Sequence, residues 1–178
     1  MHAASHAEAM KLLRDLLERR WLTTPLEPWA YSFTYLAGPI PFNCYMQINP
    51  DMEGLLFRAQ LGGAPLETEN YSRMSQLCEK LNLDTPVGCF CFNSENGDVR
   101  WKSGLYFWKE TLTEQMIRNV LEPSLLLIDD AIHAIVSIHT GQSLEVALSR
   151  IGDDLGIGTS ERCHYKLEPH PRAKKSAA

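Results

Sequence analysis

Between residues 29 and 60 the chain alternates in polarity with a period of two, three times over, and each run ends in turn-forming residues. Residues 29–36, WAYSFTYL, put Trp29, Tyr31, Phe33 and Tyr35 on one parity. Residues 43–49, NCYMQIN, set Cys44, Met46 and Ile48 against Asn43, Tyr45 and Gln47. Residues 53–60, EGLLFRAQ, set Leu55, Phe57 and Ala59 against Leu56, Arg58 and Gln60. Gly38-Pro39-Ile40-Pro41 and Asn49-Pro50-Asp51 separate the runs. Alternation of this kind builds an antiparallel sheet with one covered face, and helical periods do not fit it.

A second strand pair lies further on, in VGCFCFNSENGDVRWKSGLYF, residues 87–107. Asn96-Gly97 is the preferred centre of a two-residue type I′ hairpin turn, because both residues tolerate positive φ. That turn predicts Phe92 opposite Trp101 and Cys91 opposite Lys102. A four-residue loop would shift the pairs by two and keep the faces. Either way Phe90, Phe92, Val99, Trp101 and Leu105 share the buried face. Cys89, Cys91, Asn93, Arg100, Lys102 and Tyr106 share the more polar one.

Helical spacing fills the rest. Ser5-His6-Ala7-Glu8 fits a capping box ahead of Ala9, Leu12, Leu13, Leu16 and Leu17, and this helix should end before Thr24-Pro25. Residues 68–82 place Met74, Leu77, Cys78 and Leu81 on one face. Residues 112–139 form a long apolar helical pattern in which Pro123 should kink or divide the helix. Gly141 is suited to cap it, and Ser143 to start a short helix reaching Ile151. The order α-β-β-β-α-β-β-α predicts an α+β fold, a five-stranded antiparallel sheet packed by helices. We expect a single domain over 1–151 and a flexible tail over 152–178.

The 178 residues suffice for one core. No apolar run reaches the roughly 18 residues of a membrane helix, and the N-terminus has no signal-peptide pattern, so a cytoplasmic protein is expected. Net charge is −5; the last 18 residues carry +3, which leaves −8 on the remainder. That balance speaks against nucleic acid as a partner, since phosphate affinity rests on clustered Lys and Arg. Cys44, Cys78, Cys89, Cys91 and Cys163 are an odd number and read as free thiols.

Three clusters have chemical potential. Cys89 and Cys91 point the same way from one strand, roughly 6.5–7 Å apart along it. A disulfide needs a closer approach. Zinc needs two further ligands that no CxxC or HxxxH supplies, so no metal and no cofactor are expected. Arg100 and Lys102 nearby would favour a reactive thiol, which leaves a thiol-based redox sensor as the alternative function. Asp129 and His133 are one helical turn apart and form the second alternative, a small enzyme. No nucleophile motif accompanies them, and no catalytic residue is assigned. Cys163-His164 with His170 matches no standard metal spacing, and 152–158 is not a phosphate loop.

From about Met46 to Leu148 the chain resembles the YbjN family of bacterial proteins, whose fold is similar to that of class I type III secretion chaperones. The strands CYMQINPDMEGLLFRAQ lead to SQLCEKLNLDTPVGCFCFNSENGDVRWKSGL, where Leu81-Asn82 at a helix end precede a strand, an Asn-Gly turn and a second strand. The long helix then runs into SIHTGQSLEVAL. The resemblance implies helices on one side of a five-stranded antiparallel sheet. It also implies homodimerisation or partner binding and a regulatory or chaperone-like role without catalysis. A polar sheet face dotted with aromatics agrees with it. Tyr45, Arg100, Lys102 and Tyr106 are the expected protein-interaction residues, with Trp29 or Tyr31 as further exposed aromatics.

Overall fold

The computed structural model describes residues 3–151 apart from 27, 28, 84 and 109. Helix α1 spans Ala3–Glu18, and strands β1 (Thr24–Leu26), β2 (Ala30–Ala37), β3 (Ile40–Asn49) and β4 (Gly54–Leu61) follow it. A 3₁₀ turn, Thr68–Asn70, opens helix α2 (Tyr71–Leu83). Strands β5 (Cys89–Asn93) and β6 (Asp98–Tyr106) form the hairpin, and helices α3 (Glu114–His139) and α4 (Leu144–Leu148) end the described chain.

The fold is α+β, with six strands where the sequence predicted five. All six are antiparallel neighbours in the order β1-β2-β3-β4-β6-β5. The extra strand, β1, has three residues and contains Pro25. It is too short to show a period of two, and proline is tolerated there because β1 is an edge. After β4 the chain passes through α2 to the far edge as β5. The hairpin then returns β6 between β5 and β4.

The predicted parities hold. Phe33, Phe42, Cys44, Met46, Ile48, Leu55, Phe57, Ala59, Phe90, Val99 and Trp101 are all buried on one face. Leu13, Leu16 and Leu17 of α1, Leu77 of α2 and Ile117, Leu121, Ile128 and Ile135 of α3 complete that core. Tyr31 packs partly buried against it, and Trp29 meets His6 of α1 edge-on at 5.1 Å. Neither aromatic therefore belongs to the polar face, where the sequence reading had allowed them. The opposite face carries no helix among the described residues.

Local details correct four expectations. Helix α1 already runs from Ala3, upstream of the Ser5–Glu8 box. Pro123 does not divide α3, a single helix of 26 residues that runs through it. Packing of one long apolar stripe outweighs the loss of a single backbone bond. The hairpin takes the four-residue loop, with Phe92 opposite Val99, Cys91 opposite Arg100, Phe90 opposite Trp101 and Cys89 opposite Lys102. Only Gly97 has positive φ (74°), whereas a type I′ turn needs it at Asn96 as well. Asn96 instead bonds Asp98 through its side chain, and the Gly97 N–H donates to the Asn93 carbonyl at 2.8 Å. Helix α4 stops at Leu148, short of Ile151.

The caps expected at Gly141 and Ser143 are present, and Thr113 caps the start of α3 as well. Thr113 and Ser143 accept from the N–H groups of Met116 and Val146. Gly141 (φ 83°) donates to Ile138 O, and Gln142 to Ser137 O, which is a Schellman closure of α3. The β5 edge is closed by Asn82 at the end of α2. Its amide donates to Phe90 O (2.8 Å) and its oxygen accepts from Phe90 N (2.7 Å), so that at Phe90 it takes the place of a neighbouring strand. The expected tail over 152–178 lies outside the described residues.

Candidate functional site: the open sheet face

Cross-strand pairing lines up side chains on the uncovered face. Ser32 faces Tyr45, Tyr45 faces Arg58, Arg58 faces Lys102, and Lys102 faces Cys89. The next row runs Thr34, Asn43, Gln60, Arg100 and Cys91. All four residues expected at an interaction site, Tyr45, Arg100, Lys102 and Tyr106, lie on this face, because they share one parity on β3 and β6. Arg58 joins them from β4.

The electrostatics of the face invert those of the chain. Its strand positions hold three cations, Arg58, Arg100 and Lys102, against one anion, Asp98. Arg100 donates to Asp98 at 2.6 Å. Arg58 and Lys102 are exposed and stand directly opposite each other. Like charges in that position oppose pairing of the strands, so folding alone does not favour them. At one end Tyr106 lies directly across from Gly54. Tyr106 is 58% exposed and Trp108, 6.4 Å from it ring to ring, is 73% exposed. Met52 is exposed in the adjoining β3–β4 turn. The face thus offers a cationic centre flanked by an aromatic end.

Small-molecule geometry is less developed. A polar cleft of about 120 Å³ opens between Asn43, Gln60, Gly62, Asp98 and His139. Pockets for drug-sized ligands are typically several hundred Å³, so the face is a better candidate than the cleft. The ring of His139 is bonded to Ala64 O at 3.0 Å.

Of the Asp129 and His133 pair, the surroundings of the carboxylate are defined. Asp129 is half-buried, and its Oδ2 accepts from the Tyr35 hydroxyl at 2.5 Å. Burial pushes this carboxyl up to about 6; the Tyr35 bond lowers it and Asp130 adds to the rise. The Tyr35 bond joins α3 to β2. Cys44 and Cys78 are enclosed, and burial raises both thiols to about 12, which makes them inert. Cys89 and Cys91 sit half-exposed on the open face, with Sγ atoms 3.6 Å apart. That is closer than strand geometry predicts, because the two side chains lean together. Among the described residues no group of three or more His, Cys, Asp or Glu is placed to hold a metal ion. Cys163, His164, His170 and the 152–158 segment lie outside the described residues.

Sequence reasoning missed Arg58 and Trp108. The parity of Arg58 was legible, but its neighbour was not, since β4 pairs with β6 across an intervening helix and strand. Trp108 follows β6 in a loop, where no period assigns a side chain to a face.

No family model matches the chain, and no curated protein and no solved structure is significantly similar to it. No helix among the described residues is long and apolar enough to cross a membrane.

Proposed function

We propose that this chain is a non-catalytic protein-interaction domain of the YbjN-like kind, with a regulatory or chaperone-like role in the cytoplasm, and that its open sheet face binds an acidic segment of a protein partner. The observation that carries the reading is the Arg58–Lys102 pair. Two exposed like charges stand face to face in the middle of an uncovered sheet, beside Tyr45 and Arg100. Such a pair costs the fold a little and gains only when an anion lies across it. Tyr106 and Trp108 supply the apolar anchors that binding hot spots use. The −8 remainder of the chain repels a long polyphosphate, which favours a protein over nucleic acid.

The homodimer that the resemblance implies is part of the proposal only through a face. Edge pairing is disfavoured, because β1 is short and holds Pro25, and β5 is bonded to Asn82. Two copies meeting at the centre of the open face would oppose cation to cation. A dimer through the helical layer leaves the open face available.

The test uses the immobilised full chain and the Arg58→Glu/Lys102→Glu variant in native lysate, with mass spectrometry and then titration of the purified partner. We expect an acidic protein that the variant does not capture and that raised salt releases. Equal capture by both chains, or capture of nucleic acid in its place, overturns the reading.

A further inference from the structure

The CFC segment of β5 has a geometry that an ordinary strand does not require. Cys89 and Cys91 flank the buried Phe90 and emerge on the open face with their Sγ atoms 3.6 Å apart. The backbone between them is held on both sides. Strand β6 pairs with Cys89 and Cys91, and the Asn82 amide makes both outward bonds of Phe90. The two sulfurs therefore converge from a fixed frame. Across the ladder Lys102 stands opposite Cys89 and Arg100 opposite Cys91.

We propose that Cys89 and Cys91 form a two-sulfur chelate for a soft, thiophilic monovalent cation, with cuprous copper as its representative. Thiolates select soft ions, copper(I) foremost. Zinc takes four protein ligands in structural sites, and no third donor is grouped with this pair among the described residues. A cuprous ion is satisfied by two sulfurs. A disulfide is the less suited product, because it draws Cβ atoms to roughly 3.8 Å, and the fixed extended backbone between the cysteines opposes that. Charge balances as follows: two thiols release two protons, one monovalent cation enters, and the bis-thiolate complex carries −1. Lys102, opposite Cys89, is placed to balance that charge, while the Arg100 guanidinium is held by Asp98. Both thiols must give up their protons to bind the ion, so uptake should rise with pH.

The experiment presents copper(I) as its coloured bathocuproine disulfonate complex to the full, reduced chain without oxygen. We expect one cuprous ion withdrawn per chain, a near-ultraviolet sulfur-to-copper band, and affinity rising up to about 100-fold per pH unit as two protons leave. Cys89→Ser and Cys91→Ser each abolish uptake with far-ultraviolet circular dichroism unchanged. Lys102→Glu keeps both sulfurs and weakens uptake at least about 10-fold, as changes around metal ligands do. Cys163→Ser, which removes the one cysteine outside the described residues, leaves uptake intact. Uptake that survives in the Cys89/Cys91 double variant, uptake lost in Cys163→Ser, or a Cys89–Cys91 disulfide formed in place of the copper complex overturns the proposal.

Discussion

On β4, Phe57 is fully enclosed in the core, while the next residue, Arg58, stands in solvent opposite Lys102. The same contrast repeats on β6, where Trp101 is 0% exposed and Lys102 on its far side is free of cover. The covered face is largely apolar; Ser103 bonds Ser124 there at 2.7 Å, and the Trp101 indole nitrogen is enclosed without a hydrogen-bond partner. The open face keeps an arrangement that folding does not reward: opposed cations, converging thiols and exposed aromatics. One face is chosen by stability. We attribute the other to binding.

The comparison breaks first if the covered face proves dispensable. Trp101→Ala removes a wholly buried ring that meets Phe90 edge-on at 4.8 Å. Truncations of this size in a core cost about 3–5 kcal/mol, and urea melts should read that loss. A smaller effect is expected where the covered layer seals the sheet's edge. Asn82→Ala leaves the N–H and C=O of Phe90 without their partners, at a cost of about 1–2 kcal/mol. Hydrogen exchange at the Phe90 amide should accelerate with it.

Asp129 sharpens the contrast, because it is an ionisable group on the helical side. Its carboxyl is held at about 6 against an ordinary 3.8, chiefly by burial. The folded chain therefore binds this proton more tightly than the unfolded chain. The resulting stability is fully present below pH 3.8 and is lost as pH rises through about 6. Asp129→Asn removes that fall. Between pH 4 and 7 the variant should gain on the wild type by about 1 kcal/mol, a figure discounted for the solvent that still reaches the group. Denaturant melts across that range check the sign. A wild type that gains on the variant as pH rises would contradict it.

Much of this division was legible in the residues themselves. A period of two assigned Cys44, Met46 and Ile48 to one side of β3 and Tyr45 to the other, and burial follows that parity. A shift of the hairpin by two residues left both faces intact, so the error in the Asn96-Gly97 turn did no harm to the site. Pairing between distant strands was not legible. Nothing local says that β4 lies beside β6, so the meeting of Arg58 with Lys102 needed the fold. Strand β1 escaped for lack of length, and Pro123 leaves α3 undivided because its local penalty is smaller than the packing gain of the whole helix. The distance between the Cys89 and Cys91 sulfurs depends on side-chain rotation, which a strand period does not encode.

On the open face the expected effects on stability are small. Lys102→Ala should stay within about 0.5 kcal/mol, as exposed substitutions do. Lys102→Glu is the most direct test of the central claim that this face is kept for binding at a slight cost to folding. It exchanges a like-charge pair with Arg58 for an opposite one. Cross-strand pairs of that kind are worth about 0.2–1 kcal/mol. A urea melt of Lys102→Glu beside the wild type should show equal or slightly greater stability, with capture of the acidic partner lost. A variant destabilised by more than about 1 kcal/mol, or one that captures the partner as well as the wild type, would contradict the account.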